Sequence, residues 1–181
     1  MSCELTQVYG DLLGLLDDDR RAHSLAVGRK VARAARLVPA RLRSDLVAAG
    51  TLHDIGYAHP DSGLHALDGA RFLARQGLSD VVCNLVLHHS ASRFEAEERG
   101  IDLEQYLPFD VHEDLVLLHS IVAWADMTTG PTGSTVTVED RLDEICARYG
   151  PDDVVTRFIK RARPVLLAAG QSPSSSIQGS A

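Results

Sequence analysis

The side chains in this sequence with the most chemistry are imidazoles and carboxylates at the ends of apolar segments: His23, His53-Asp54, His65, His88-His89 and Asp126. Asp126 closes the apolar run that starts at Leu115, and a carboxylate buried there needs an arginine, another cation or a metal beside it. His53 and Asp54 follow Leu46, Val47 and Leu52. Neighbours on a helix point ~100° apart, so both reach one ion only if it sits over the edge between them. Gly50, one turn back, leaves room there. No thiolate joins the set, because Cys3, Cys83 and Cys146 lie far apart and form no CxxC pair. Nitrogen and oxygen ligands of this kind suit Fe, Mn, Co, Ni or Zn and are too nitrogen-rich for Ca or Mg alone. Each group also has a plainer reading: a hydrogen-bonded core histidine for His23, a helix-terminal hydrogen bond for His53 and Asp54, an arginine partner for Asp126.

The elements that must position these groups read as helices, since apolar residues recur at three and four and do not alternate. A first helix covers about Leu5 to Leu16. A second follows the acidic Asp17-Asp18-Asp19 and runs to about Leu37. At 100° per residue His23 shares its stripe with Val27, Val31, Ala34 and Val38, while Arg29, Arg33 and Arg36 face away. Pro39 opens a third helix that reaches Ile55. A fourth covers His65 to Gln76 and a fifth runs from Ser79 to His88-His89. The charged stretch Arg93 to Pro108 holds two short helices, with Glu95, Glu97 and Glu98 on a solvated face, and is a candidate cover for the site. A long apolar helix spans Val111 to Met127, and two more follow, from Thr137 to Gly150 and from there to Ala169. Residues 170–181 read as a low-complexity, disordered tail. The fold class is all-α.

A chain of 181 residues makes one domain, and its 45% hydrophobic share supports a sizeable core. The net charge of −7 argues against nucleic acid or anionic membrane as partner. No apolar run approaches 18 residues, and Met1-Ser2-Cys3-Glu4 does not start a signal peptide, so a reducing cytoplasm is the expected compartment.

His23, His53-Asp54 and Asp126 follow one another at intervals of 30 and 72. That order resembles the HD superfamily of metal-dependent phosphohydrolases, with its pattern H…HD…D. Leu52-His53-Asp54-Ile55-Gly56 resembles the HD block and Trp124-Ala125-Asp126 the final-aspartate block. His65 with Asp68-Gly69-Ala70, and Leu85-Val86-Leu87-His88, resemble the extra histidines of dinuclear members such as the bacterial HD-type diadenosine tetraphosphate hydrolases. The resemblance implies an HD helical bundle with its core at residues 20–130, an N-terminal helix over 1–19 and C-terminal helices of the same domain over 131–169.

It also implies a site. His23, His53, Asp54 and Asp126 would hold one divalent transition-metal ion, and His65 and His88 a second, bridged by Asp54. His53 and Asp54 would be central to catalysis. Between ions ~3.5–4 Å apart a water loses its proton easily and attacks phosphorus in line. The implied reaction is hydrolysis of a phosphate ester or anhydride in a nucleotide or similar small metabolite. Lys30, His89 and Arg93 are the candidate substrate contacts, with His89 also the rival of His88 as ligand. Asp68 and His119 are the candidate outer partners of the ligands. The sequence departs from family patterns in two places. Tyr57 follows Gly56 where many members have a lysine nearby, and Ser90 follows the His pair, without the Glu and Gly-Tyr-Pro of cyclic-di-GMP phosphodiesterases. Two other readings fit the same six ligands: a mixed-valence di-iron oxygenase of organophosphonates and, third, a non-catalytic ligand-binding protein.

Overall fold

The computed structural model describes residues 9–170, so the start of the first expected helix and the C-terminal tail lie outside the described residues. Helix α1 covers residues 9–13. α2 (Asp18–Ala34) starts where the Asp17 carboxylate accepts the Arg20 amide, with Asp18 and Asp19 in its first turn. It stops short of the expected Leu37. A 3-10 turn, Ala35–Leu37, leads to Val38, which is extended because Pro39 follows it. A second such turn, Ala40–Leu42, precedes α3 (Arg43–Leu52).

α3 also ends earlier than expected, so His53 caps it and Asp54 begins the turn into Ile55–Ala58. α4 (His65–Arg75) and α5 (Asp80–His88, capped by the Ser79 hydroxyl) follow. α6 (Ser92–Arg99) and the 3-10 segment Leu103–Phe109 account for the charged stretch. α7 (Val116–Met127) starts five residues after the expected Val111, because the Asp114 carboxylate takes the Val116 amide and sets the start there. Thr137 and Asp153 cap α8 (Val138–Tyr149) and α9 (Val154–Ala169). Among the described residues the only β pairing is one isolated bridge, Thr129 with Thr135, so the fold is all-α. No helix among them is long and apolar enough to cross a membrane.

Two apolar clusters form the interior. The larger is built from α2 to α7 around fully buried Leu46, Leu52, Ile55, Leu67, Leu85 and Ile121, each worth about 1.5–3 kcal/mol of burial. The smaller joins Met127 to Val138, Leu142 and Ile145 of α8 and to Phe158, Ile159, Ala162 and Leu166 of α9. The candidate site lies at the seam between them.

Two glycines allow the close approaches that build it. A Cβ on Gly50 would sit 2.5 Å from a Val31 methyl, so the space beside Gly50 is filled by α2 and is not room for an ion. A Cβ on Gly56 would meet the His65 carbonyl at 1.9 Å, and this contact draws the start of α4 up to the turn after Asp54.

Candidate metal centre

His23 is on the buried stripe of α2, His53 and Asp54 at the end of α3, His65 at the start of α4, and Asp126 next to last in α7. The rings of His23 and His53 are 5.2 Å apart, and that of His53 is 5.1 Å from His89. Three of the rings are held by backbone. His23 Nδ1 faces the Gly130 carbonyl at 3.0 Å, His53 Nδ1 the Gly50 carbonyl at 3.0 Å, and His89 Nδ1 the Val86 carbonyl at 2.6 Å. A carbonyl only accepts, so each Nδ1 carries a proton, and whenever such a ring is neutral its lone pair is on Nε2.

The Nε2 atoms converge. His23 Nε2 is 3.2 Å from His53 Nε2 and 3.0 Å from Asp126 Oδ1, which is 3.6 Å from His53 Nε2. Alongside, Asp54 Oδ1 is 3.6 Å from His53 Nε2 and 3.7 Å from His65 Nε2, and His65 Nε2 is 3.1 Å from His89 Nε2. Lone pairs facing at such distances repel unless a proton or a cation lies between them. Ligands bonded at ~2.0–2.2 Å stand about 3.0–3.5 Å from one another in tetrahedral or octahedral shells, so the donor set fits a transition metal. His23, His53 and Asp126 form one possible group, and His53, Asp54 and His89 another.

Each carboxylate turns one oxygen to the imidazoles and has the other held from outside. The Ser90 hydroxyl donates to Asp126 Oδ2, and Arg20 Nη1 to Asp54 Oδ2 at 3.3 Å. The Arg20 guanidinium also lies 3.3 Å over the Tyr57 ring, which stacks on His65 at 4.2 Å. Burial alone would push the carboxyls up. The surrounding imidazoles, chiefly His53 for Asp54 and His23 for Asp126, outweigh it and hold both well below the usual range. Burial would likewise lower His53, but the carboxylates of Asp54 and Asp126 raise it to about 9. His65 falls to about 3 through burial and the neighbouring His89.

Other sequence expectations need correction. His88, expected as a ligand, points away: its ring lies 5.4 Å from Tyr106 and 5.7 Å from His119. α5 ends at His88, so His89 leaves the helix with extended backbone and turns into the site. Ser90 and Ala91 then adopt left-handed conformations, φ 51° and 60°, which are uncommon for residues with a side chain and are found where a site demands them.

Lys30 does not face the site, because its ammonium donates to the Thr128 carbonyl and hydroxyl beyond the end of α7. Arg93 lies 5.9 Å over Tyr106. Asp68 accepts the amides of Asp61 and Ser62 and so shapes the loop before His65 rather than its ring. His119 packs on His88, outside the centre. Glu95 is buried and paired with Arg99, while Glu97 and Glu98 meet Arg161 on the surface.

Arg20 is missing from the sequence reading, and Tyr57 and Ser90 appear there only as departures from family patterns. Arg20 was within its reach: three residues before His23 is about 60° away around the helix, on the same inward side.

Above the imidazoles opens a cavity of about 300 Å³, lined on one side by Asp54, His65, His89 and Asp126 and on the other by apolar Met127, Ile145 and Phe158 with Arg141 and Arg148.

Residues 20–129 match the HD domain. The chain belongs to this family. A stretch of 80 residues is 34% identical to a tRNA (cytidine(56)-2'-O)-methyltransferase of Thermoplasma volcanium. That match covers 42% of this chain and 23% of the relative, so the chain spans under a quarter of that protein's length. No solved structure matches.

Proposed function

We propose that this HD-domain protein is a metal-dependent phosphohydrolase that cleaves a phosphate ester or anhydride in a nucleotide or similar small phosphorylated metabolite. The observation that carries this reading is the convergence of four imidazole Nε2 atoms and two carboxylates, with three of the rings fixed through Nδ1 to backbone carbonyls. His23, His53, Asp54 and Asp126 would hold one ion, and His65 and His89 a second beside Asp54. Divalent ions at such a site supply Lewis acidity, lowering the pKa of water and neutralising phosphate charge.

The protein's own part is positioning. Arg20 and Ser90 fix the two carboxylates, Tyr57 stacks on His65, and Met127, Ile145 and Phe158 give the cavity an apolar surface for the body of a substrate. The likeness to the methyltransferase leaves more than three quarters of that protein uncovered and does not support methyl transfer here. A chain of net charge −7 is also a poor partner for RNA.

The test is phosphate release from mono- and dinucleotides, including dinucleoside polyphosphates, by protein loaded separately with Mn, Fe or Co. Turnover that a chelator and Asp54→Asn both abolish is the expected result. Loaded protein that releases no phosphate from any of them overturns hydrolysis, and oxygen uptake with an organophosphonate would put oxygenase chemistry in its place.

A further inference from the structure

The cavity wall opposite the imidazoles carries charge that the metal centre does not use. Arg141 of α8 is only 8% exposed, and its Nε has no hydrogen-bond partner. Its Nη1 bonds Glu144 at 2.6 Å, and Arg148 Nε lies 3.4 Å from the other oxygen of that carboxylate. Among the described residues neither guanidinium has a second ion pair, so two cations share one anion. The two guanidiniums thus carry one more charge than the carboxylate between them, in a cavity whose lining also includes Asp17, Asp19 and Glu95.

Burying a guanidinium with an orphaned donor is costly unless something completes its bonding. Arg20, the third arginine of the cavity, differs in this respect: Asp54 and Asp17 both pair with it. The same cavity has an apolar surface in Met127, Ile145, Phe158 and Ile159, beside the Tyr149 ring.

We infer that Arg141 and Arg148 form an anion subsite for a second, non-reacting phosphate or carboxylate of the substrate. This rests on the reading of the imidazole cluster as the phosphate-binding metal centre. The substrate class is then a compact metabolite with an anion at each end and an apolar or planar middle. A planar guanidinium suits either anion, since it donates two parallel bonds to each.

The experiment is calorimetric binding to the Mn-loaded protein of three series of increasing chain length: alkylphosphonates, α,ω-alkanebisphosphonates and ω-carboxyalkylphosphonates. At one chain length a second anionic end should tighten binding roughly tenfold over the plain alkylphosphonate, the value of a charge-assisted hydrogen bond. The larger gain of the two series names the anion.

Arg141→Met and, at the more exposed position, Arg148→Met should each reduce that gain, while metal stoichiometry and alkylphosphonate affinity stay as in the wild type. Arg141→Lys should restore part of it. No gain at any length, or a full gain in both methionine variants, overturns the subsite and leaves the metal centre standing. Failure of all three series to bind the loaded protein overturns both.

Discussion

His88 and His89 are neighbours in sequence, yet they belong to two histidine clusters with different physics. His89 sits with His23, His53 and His65 among two carboxylates, its Nδ1 on a backbone carbonyl and its Nε2 turned inward. His88 packs on His119 and Tyr106 beside a separate surface groove. There burial, followed by the neighbouring His88, pushes His119 down to about 4. The inner cluster has the carboxylates and fixed tautomers that a cation needs. Around the outer pair Asp110, Glu113 and Asp114 line the groove, but none of them pairs with an imidazole, and burial pushes both rings below their ordinary pKa. Imidazoles close together are therefore no sign of a metal in themselves; the groups on the second ring nitrogen and the nearby charge decide.

The largest expected contrast is between His89→Ala and His88→Ala. Elemental analysis of the purified variants should show His89→Ala losing metal, with activity down by more than the ~10–100-fold that outer partners alone are worth. His88→Ala should keep its metal content. The reverse pattern would return the ligand role to His88.

The outer pair should instead appear in the pH dependence of stability. His119 stays neutral in the fold to about pH 4, whereas in the unfolded chain it takes a proton near its ordinary value of ~6.5. Its contribution is fully present above that ordinary value and is lost as pH falls towards 4, up to about 3 kcal/mol. Urea unfolding of His119→Gln between pH 7 and pH 4.5 should therefore show a shallower loss than the wild type. Identical slopes would mean that His119 is not held neutral.

Ser90 sharpens the comparison from the inner side. Ser90→Ala and Ser90→Gly both remove the hydroxyl from Asp126 and should weaken metal binding by roughly 10–100-fold in a chelator competition. They should part in stability, with the glycine variant about 1 kcal/mol more stable, because the left-handed backbone at this position costs glycine nothing. Equal stability would remove strain from the account. Smallest of all, Lys30→Met should cost about 0.3–1 kcal/mol, as the loss of a cation at a helix C-terminus does. Its KM should be unchanged, since the ammonium is engaged by Thr128. A raised KM would return Lys30 to the substrate.

Helical periodicity was enough to place His23 inward, to put His53-Asp54 and Asp126 at helix ends, and to give the order of the helices. It was not enough to separate His88 from His89. That choice depends on how the chain leaves α5, and it leaves through left-handed Ser90 and Ala91, a conformation that their residue types do not announce. Gly50 illustrates the same limit. The sequence shows a missing side chain, but not that Val31 from α2 occupies the space. Arg141 and Arg148 were out of reach for a related reason: the apolar face of α8 shows that it is buried, but only packing shows that it closes the cavity. Arg20 is different, because the helical phase that selected His23 also selects it.

The most direct test is a crystal structure of protein grown with Mn or Fe, with anomalous data collected at the absorption edge of that metal. The account predicts peaks within bonding distance of His23, His53 and Asp126 and of His65, His89 and Asp54. An anomalous map empty there, or one whose peak lies between His88 and His119, would contradict it.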